Sequence, residues 1–541
     1  MKRAFWFDGA YMDQQIAETD ITGSRAVQFV KGYHNRSVTE NGAVGYRTTT
    51  KPLLDLNFQV SSLRAREEAY IVQEFTKVFH DSPGYAVKWL FFVRDILEGL
   101  GERRTFRVCL KYLAISRSEI ARAVLNYVPQ YGRYDDALIL LDTPLAGDVA
   151  GMYKKQLDRD LAAMEAGKQV SLLGKWLPSC NTSSKKTRAY AGKLCRYFKM
   201  SQKEYRKTLA KLRAYANVIE TKMSAGAWAD IAYETVPAKA NILYDKAFER
   251  HDRDRRIEYL EKVLLGEGNL NTKGLMPYEI VHRITGKSSY YRVLQGDLLS
   301  ELMWKKIVRE GFQNDWGFED AIVVADGSGS MFQMASGSSS VMAIEICNSL
   351  AIYFAEQLRG VFHNKAITFS DHPQFIDLKE HTSLKDKLEI MFAHNEMSNT
   401  NIEAVFDLLL AMAECENVPR EELPKQVLII SDMEFDEATA SYFLGKKRKP
   451  VNDTLFARIA GKYKAAGYRM PRLIFWNVCG RTDTIPMVDN EEGLCLLSGF
   501  SQNAMKVAAD QTQKDPYKAL LQVLDSPRYQ AIEDAILPWI A

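Results

Sequence analysis

The hydrophobic rhythm of this chain changes near Gly311, and that change limits the available folds more than any other feature. Before it, apolar residues recur at helical spacing, as in Ile71, Phe75, Val78 and Phe79, and again in Trp89, Phe92, Val93 and Ile96. Similar amphipathic stretches fall near 105–114, 117–128, 148–166, 187–198, 201–215, 237–250, 254–265 and 296–310, with short Gly-, Pro- or Asn-bearing turns between them. After it come short, unbroken apolar runs: AIVVA (321–325), AITF (366–369), VLII (427–430), LIFWNV (473–478) and LCLL (494–497). A strand inside a parallel sheet is covered on both faces and reads in this way. Helix-like segments at 341–358 and 402–413 alternate with the runs.

The pattern predicts a multidomain chain: an all-α helical-repeat region, stacked as a HEAT-like solenoid or ring, then a doubly wound α/β domain. No repeat period is evident, so the stacking rests on the succession of amphipathic helices alone. The expected divisions are a polar arm at 1–57 with a hairpin at Gly42–Thr50, the helical region at 58–312, and the α/β domain at 313–541. Gly311, Asn314 and Gly317 supply the break. With 541 residues, 46% of them hydrophobic and 26% charged, the chain has the make-up of a globular protein. Its seven cysteines are widely spaced without a C-x-x-C pair, which argues against a disulfide framework or a zinc cluster and suggests a reducing compartment. The opening residues lack a secretory signal, and no stretch reaches the roughly 18 apolar residues of a membrane span. A cytoplasmic protein that does not engage membranes is expected.

The strand AIVVA runs into Asp326-Gly327-Ser328-Gly329-Ser330. In open α/β sheets, ligands gather at the carboxyl ends of strands near the topological switch point. A D-x-S-x-S loop there presents one carboxylate and two hydroxyls. The strand VLII ends in Ser431-Asp432, a second carboxylate for the same edge, and Thr400, just before the helix at Ile402, adds a hydroxyl. Asp326, Ser328, Ser330, Thr400 and Asp432 are all oxygen donors, a set suited to Mg²⁺, or to Mn²⁺ or Ca²⁺, with a coordination position left for a partner's acidic group.

This order of residues resembles the metal-ion-dependent adhesion site of von Willebrand factor A (vWA) domains. The segments WLPSCNTSS (176–184), AYETVPAKA (232–240), GLMPYEIV (274–281), ELMWKKIV (301–308), ISDMEFDEA (430–438), LIFWNV (473–478) and LLSGFSQN (496–503) resemble a domain-of-unknown-function family, number 2828, over roughly 50–510. Helices followed by a vWA domain are similar in architecture to the Ro autoantigen (TROVE) proteins. That resemblance implies a helical region that binds noncoding or single-stranded RNA, and a vWA domain that binds a divalent cation and docks a protein partner.

Between Lys185 and Arg213 stand eleven basic residues and one acid, Glu204. Ser201 and Glu204 form a capping box that starts a helix with Tyr205, Leu209 and Leu212 on its buried side. Lys203, Arg206, Lys207 and Lys211 fall on the other side, and Lys185, Arg188, Lys193 and Arg196 share a face of the preceding segment. With Lys186 and Arg213, these make a candidate RNA-binding set, to which Tyr190, Tyr197 and Phe198 can add stacking if exposed. The run HDRDRR (251–256) mixes signs and reads as a surface ion-pair cluster.

Catalytic patterns are missing. Ser328 stands where a haloacid-dehalogenase phosphatase needs its second Asp, GSGSM does not fit G-x-S-x-G, and neither a phosphate-binding loop nor H-E-x-x-H occurs. His372 and His394 fall near the metal edge, but a lone loop histidine carries no chemistry by itself. The expected protein is a non-catalytic, Ro-like ribonucleoprotein component. The alternatives are a protein-only metal-dependent adaptor whose helices bind protein, as in assemblies where vWA domains serve AAA-type ATPases, and an unrecognised metal-dependent hydrolase.

Overall fold

The computed structural model describes residues 35–286, 294–313, 321–335, 340–369, 372–395, 401–435 and 455–540. Asn314 and Gly317 of the expected boundary, and Thr400 of the expected metal set, lie outside them.

Strands β1 (Arg36–Val38) and β2 (Val44–Tyr46) pair antiparallel, so the hairpin of the arm forms earlier than its expected place at 42–50. Gly42 closes its turn at a φ of 95°, a conformation that favours glycine. Thr49 is drawn away by Asp55, whose carboxylate accepts its backbone N–H at 2.8 Å. The hairpin does not stand alone. Tyr46 and Ile485 exchange backbone hydrogen bonds, both 2.8 Å long, which tie the arm to the C-terminal unit.

Helices fill the region from Pro52–Phe58 to Leu298–Gly311. Most pack on helices close to them in sequence: Glu68–Asp81 packs on Pro83–Arg94 and on Arg103–Ser116, and Ala146–Glu165 on Lys185–Phe198 and Gln202–Tyr215. The expected residues Phe75, Val78, Trp89, Phe92 and Val93 are wholly buried. One expectation fails inside HDRDRR. Arg256 is buried, donating to Asp245 at 2.7 Å and to Asn241 at 3.0 Å. A buried guanidinium needs a carboxylate beside it, and that partner lies eleven residues away on another helix.

The C-terminal unit holds a six-stranded sheet in the order β5-β4-β3-β6-β7-β8. Its strands are β3 (Ala321–Asp326), β4 (Lys365–Phe369), β5 (Gln374–Asp377), β6 (Gln426–Ser431), β7 (Arg472–Asn477) and β8 (Leu494–Ser498). All pairings are parallel except β4 with β5. Every residue of β3, β6, β7 and β8 is buried, which is why these strands read as continuous apolar runs. The edge strand β5, QFID, is half-exposed and too short and mixed to announce itself.

This unit meets both ends of the helical region. At the first end, Ser61 donates its N–H to Ser498 Oγ and its hydroxyl to Asn477 Oδ1. The C-terminal helix Pro527–Ile540 packs back on Pro83–Arg94, with Arg528 paired to Asp95. At the other end, Pro277–Thr285 packs against Ala343–Gln357, where His282 Nδ1 lies 3.1 Å from Glu345. Among the described residues, no helix is long and apolar enough to cross a membrane.

Candidate functional site

The strand order reverses direction between β3 and β6, whose outgoing connections leave towards opposite halves of the sheet. A crevice forms at the carboxyl ends of two such strands. The register pairs Ala325 with Ile430, so the next residues, Asp326 and Ser431, arrive side by side. Ser431 Oγ donates to Asp326 Oδ2 at 2.6 Å, and the Ser328 N–H donates to Asp326 Oδ1 at 2.9 Å. Ser328 Oγ and Ser330 Oγ stand 3.0 Å apart, and Ser330 in turn hydrogen-bonds Asp432. Asp326, Ser328 and Asp432 are buried, whereas Ser330 is half-exposed and forms the outer lip. Thus four of the five expected metal donors converge, and Thr400 lies outside the described residues. Its neighbour Asn401 caps the helix Ile402–Cys415 by accepting the Ala404 N–H at 3.1 Å.

Gly327 has a steric reason to be glycine. A Cβ there would collide with Asn395 Oδ1, so the turn and the end of the helix Leu384–Ala393 meet at closest approach. Both amide atoms of Asn395 are buried without a hydrogen-bond partner among the described residues. Such a group is costly unless something polar reaches it.

Two carboxyl groups so close and so buried repel each other's charge. Burial raises the pKa of both, and the charge of Asp326 raises Asp432 further, to about 7. Arg481 opposes the rise, but its guanidinium is 3.5 Å from Asp432 and is shared with Glu40 of the arm, at 2.6 Å. The pair therefore needs a proton or an additional cation. Carboxylates and hydroxyls with no soft donor suit a hard divalent ion, and the two acids match its charge. Among the described residues, no three His, Cys, Asp or Glu side chains gather as a cage, so such an ion would depend on the hydroxyls.

The rim escaped sequence reasoning. Glu434 is buried and accepts the N–H groups of Arg481 and Thr482 at 2.9 and 2.8 Å, and that of Glu40 at 2.8 Å. It thereby clamps the arm and the 481–484 loop beside Asp432. Its place two residues beyond Asp432 was a usable signal, but Arg481, Glu40 and Asn395 gave none. His394 is occupied with the Ile390 carbonyl at 2.7 Å, and His372 precedes β5.

The basic stretch forms two helices, Lys185–Phe198 and Gln202–Tyr215. The expected capping box is present, with Glu204 N–H to Ser201 Oγ at 3.2 Å and Ser201 N–H to Glu204 Oε2 at 2.8 Å. Lys185, Lys186, Arg188, Arg196, Lys203, Arg206, Lys207 and Lys211 are exposed. Two members of the set work internally. Lys193 pairs with Asp142 at 2.7 Å, and Arg213 turns inward to the Gly174 and Leu177 carbonyls, 2.8 Å from each. Arg188 also holds the carbonyls of Thr182 and Ser183, at 2.7 and 2.8 Å. Of the three aromatic candidates, Tyr190 and Phe198 are buried and Tyr197 is half exposed, at 49%. Tyr197, Arg196, Lys193 and Leu141 line an open hollow of about 360 Å³.

Fold and site define a two-part protein: a helical region joined to a mostly parallel α/β unit that carries an acidic, hydroxyl-rich cluster at its switch point. Comparison with known families divides the chain at the same place. Residues 144–311 match a domain of unknown function (DUF2828), and residues 320–531 match another domain of unknown function (DUF7788). The expected single span over 50–510 is thus corrected to two families. WLPSCNTSS, AYETVPAKA, GLMPYEIV and ELMWKKIV fall in the first, and ISDMEFDEA, LIFWNV and LLSGFSQN in the second. Neither description names a vWA domain or a Ro protein. The chain is also similar to an uncharacterized protein of Acanthamoeba polyphaga mimivirus, 27% identical over 527 residues, covering 91% of this chain and 87% of that one.

Proposed function

We propose that the C-terminal unit is a vWA-type domain that holds one Mg²⁺, or Mn²⁺ or Ca²⁺, through Asp326, Ser328, Ser330 and Asp432, with Thr400 as a fifth donor. The observation that carries this reading is the buried Asp326–Asp432 pair, flanked by serine hydroxyls and short of positive charge. The strand order with its antiparallel edge supports it. A bound cation would polarise an acidic group offered by a protein partner. The protein side orients the hydroxyls and sets the two carboxyl groups together, where a cation would replace the proton that burial favours. Isothermal titration with Mg²⁺ and Mn²⁺ tests this. Saturable binding by the wild type and its loss in Asp326→Ala are expected, and equal heats from both would defeat the reading.

We further infer a Ro-like, non-catalytic, cytoplasmic ribonucleoprotein component, in which the exposed basic face of 185–211 binds single-stranded or noncoding RNA. Eight exposed cations, with Tyr197 beside them, favour RNA over a protein-only adaptor. Each phosphate neutralised releases counterions, so binding must weaken steeply with salt. Nucleic acid carried through purification, and affinity for a labelled single-stranded RNA that falls as salt rises, are the expected results. A preparation free of nucleic acid with no salt-sensitive RNA binding would leave the adaptor in its place.

A further inference from the structure

We propose that Cys180 and Cys195 form an oxidative modification site: a reversible intramolecular disulfide, made under peroxide, that staples the 177–184 loop to the helix Lys185–Phe198. The two Sγ atoms lie 4.0 Å apart. Closing to a bond of about 2 Å needs a movement of similar size, within the reach of side-chain rotation and a small loop shift.

The loop is held so that this approach persists. On one side of Cys180, Arg213 donates to the Leu177 carbonyl at 2.8 Å and to Ser179 Oγ at 2.9 Å. The Tyr205 hydroxyl donates to the Pro178 carbonyl at 3.0 Å. On the other side, Arg188 grips the Thr182 and Ser183 carbonyls. Cys195 sits on the inner face of its helix between Leu194 and Arg196, so the two thiols meet where loop and helix touch. Of the remaining cysteines, Cys109, Cys347 and Cys495 are buried, Cys415 is exposed, and Cys479 is partly exposed with its thiol against the Ala335 carbonyl at 3.9 Å.

Exposure sets the order of events. Cys180 is partly exposed while Cys195 is buried, and burial beside Cys180 pushes the Cys195 thiol up to about 11. Cys180 therefore meets the oxidant. Its thiolate attacks hydrogen peroxide, the O–O bond breaks, and a sulfenic acid and hydroxide result. The Cys195 sulfur then attacks the sulfenic sulfur. The S–S bond forms, the S–OH bond breaks, and the Cys195 proton leaves with the hydroxyl as water. Peroxide is reduced and the two thiols are oxidised. A dithiol restores both.

The test is peptide mapping of the full chain, treated with peroxide and digested with trypsin without reductant. Cleavage frees Trp176–Lys185, which carries Cys180, and Leu194–Arg196, which carries Cys195. The expected result is one disulfide-linked species of these two peptides. It should vanish on reduction and be lost in both Cys180→Ser and Cys195→Ser, with far-UV circular dichroism showing both variants folded. Finding both thiols open to alkylation after treatment would overturn the proposal. So would over-oxidation of Cys180 to sulfinic acid while Cys195 stays reduced, or pairing of either with Cys415 of another molecule.

Discussion

The acidic cluster at the end of β3 and β6 and the basic face of 185–211 carry opposite charge, and they differ even more in what holds them. Asp326 and Asp432 are buried, and directed hydrogen bonds from Ser328, Ser330 and Ser431 hold them. Lys203, Arg206 and Lys207 point into water. Burying two like charges costs free energy that only a proton or a cation recovers, so the cluster implies a ligand. Exposed lysines cost almost nothing, so the face permits a ligand without implying one. Buried charge is the stronger witness.

The sharpest way to break the comparison is Asp326→Ala. Divalent-cation affinity measured calorimetrically should fall by roughly 100-fold or more, since even outer partners of metal ligands are worth about 10–100-fold. Next comes the triple variant Lys203→Ala, Arg206→Ala and Lys207→Ala. Affinity for single-stranded RNA should drop about tenfold at moderate salt, and the slope of log affinity against log salt should shrink by about 2. The melting temperature should hardly move, because these side chains pack against nothing. A large loss of stability would show that the face is structural instead.

Smaller effects sharpen the picture. Tyr197→Ala removes the more exposed of the two exposed aromatics on the basic helices, Tyr215 being the other, and should weaken RNA binding by about 1 kcal/mol, read by fluorescence anisotropy. Arg481→Ala removes a positive charge near Asp432 and should tighten cation binding by roughly threefold, a modest change because the guanidinium is partly solvated. The pH dependence has a definite sign. Asp432 is raised from its ordinary 3.8 to about 7, so its protonated form favours the folded state, and that contribution is lost as pH rises towards 7. A cation replaces the proton. The gain in melting temperature on adding Mg²⁺ should therefore be small near pH 5.5 and full by pH 8. A gain independent of pH would separate the ion from this carboxyl.

Much of the fold was legible because its signals are local. A capping box acts over four residues, and Ser201–Glu204 formed where the pattern placed it. Five sheet strands were visible because burial on both faces demands unbroken apolar runs. The D-x-S-x-S loop was visible because its donors are neighbours in sequence. The hairpin of the arm was misplaced because its partners, Phe435 and Ile485, lie hundreds of residues away. Arg256 was misread for the same reason: its sign pattern is that of a surface, while its partners Asp245 and Asn241 make an interior.

What the amino-acid order determined alone was periodicity, hence helix against strand, and the chemical kind of each donor. What only tertiary structure decided was proximity. It brought Ser431 onto Asp326, set Arg481 between Asp432 and Glu40, and turned Arg213 inward while leaving Lys207 in water. The reason is physical. Backbone hydrogen bonding and side-chain alternation act within a few residues, whereas the burial and pairing of charge depend on whatever the chain folds against it.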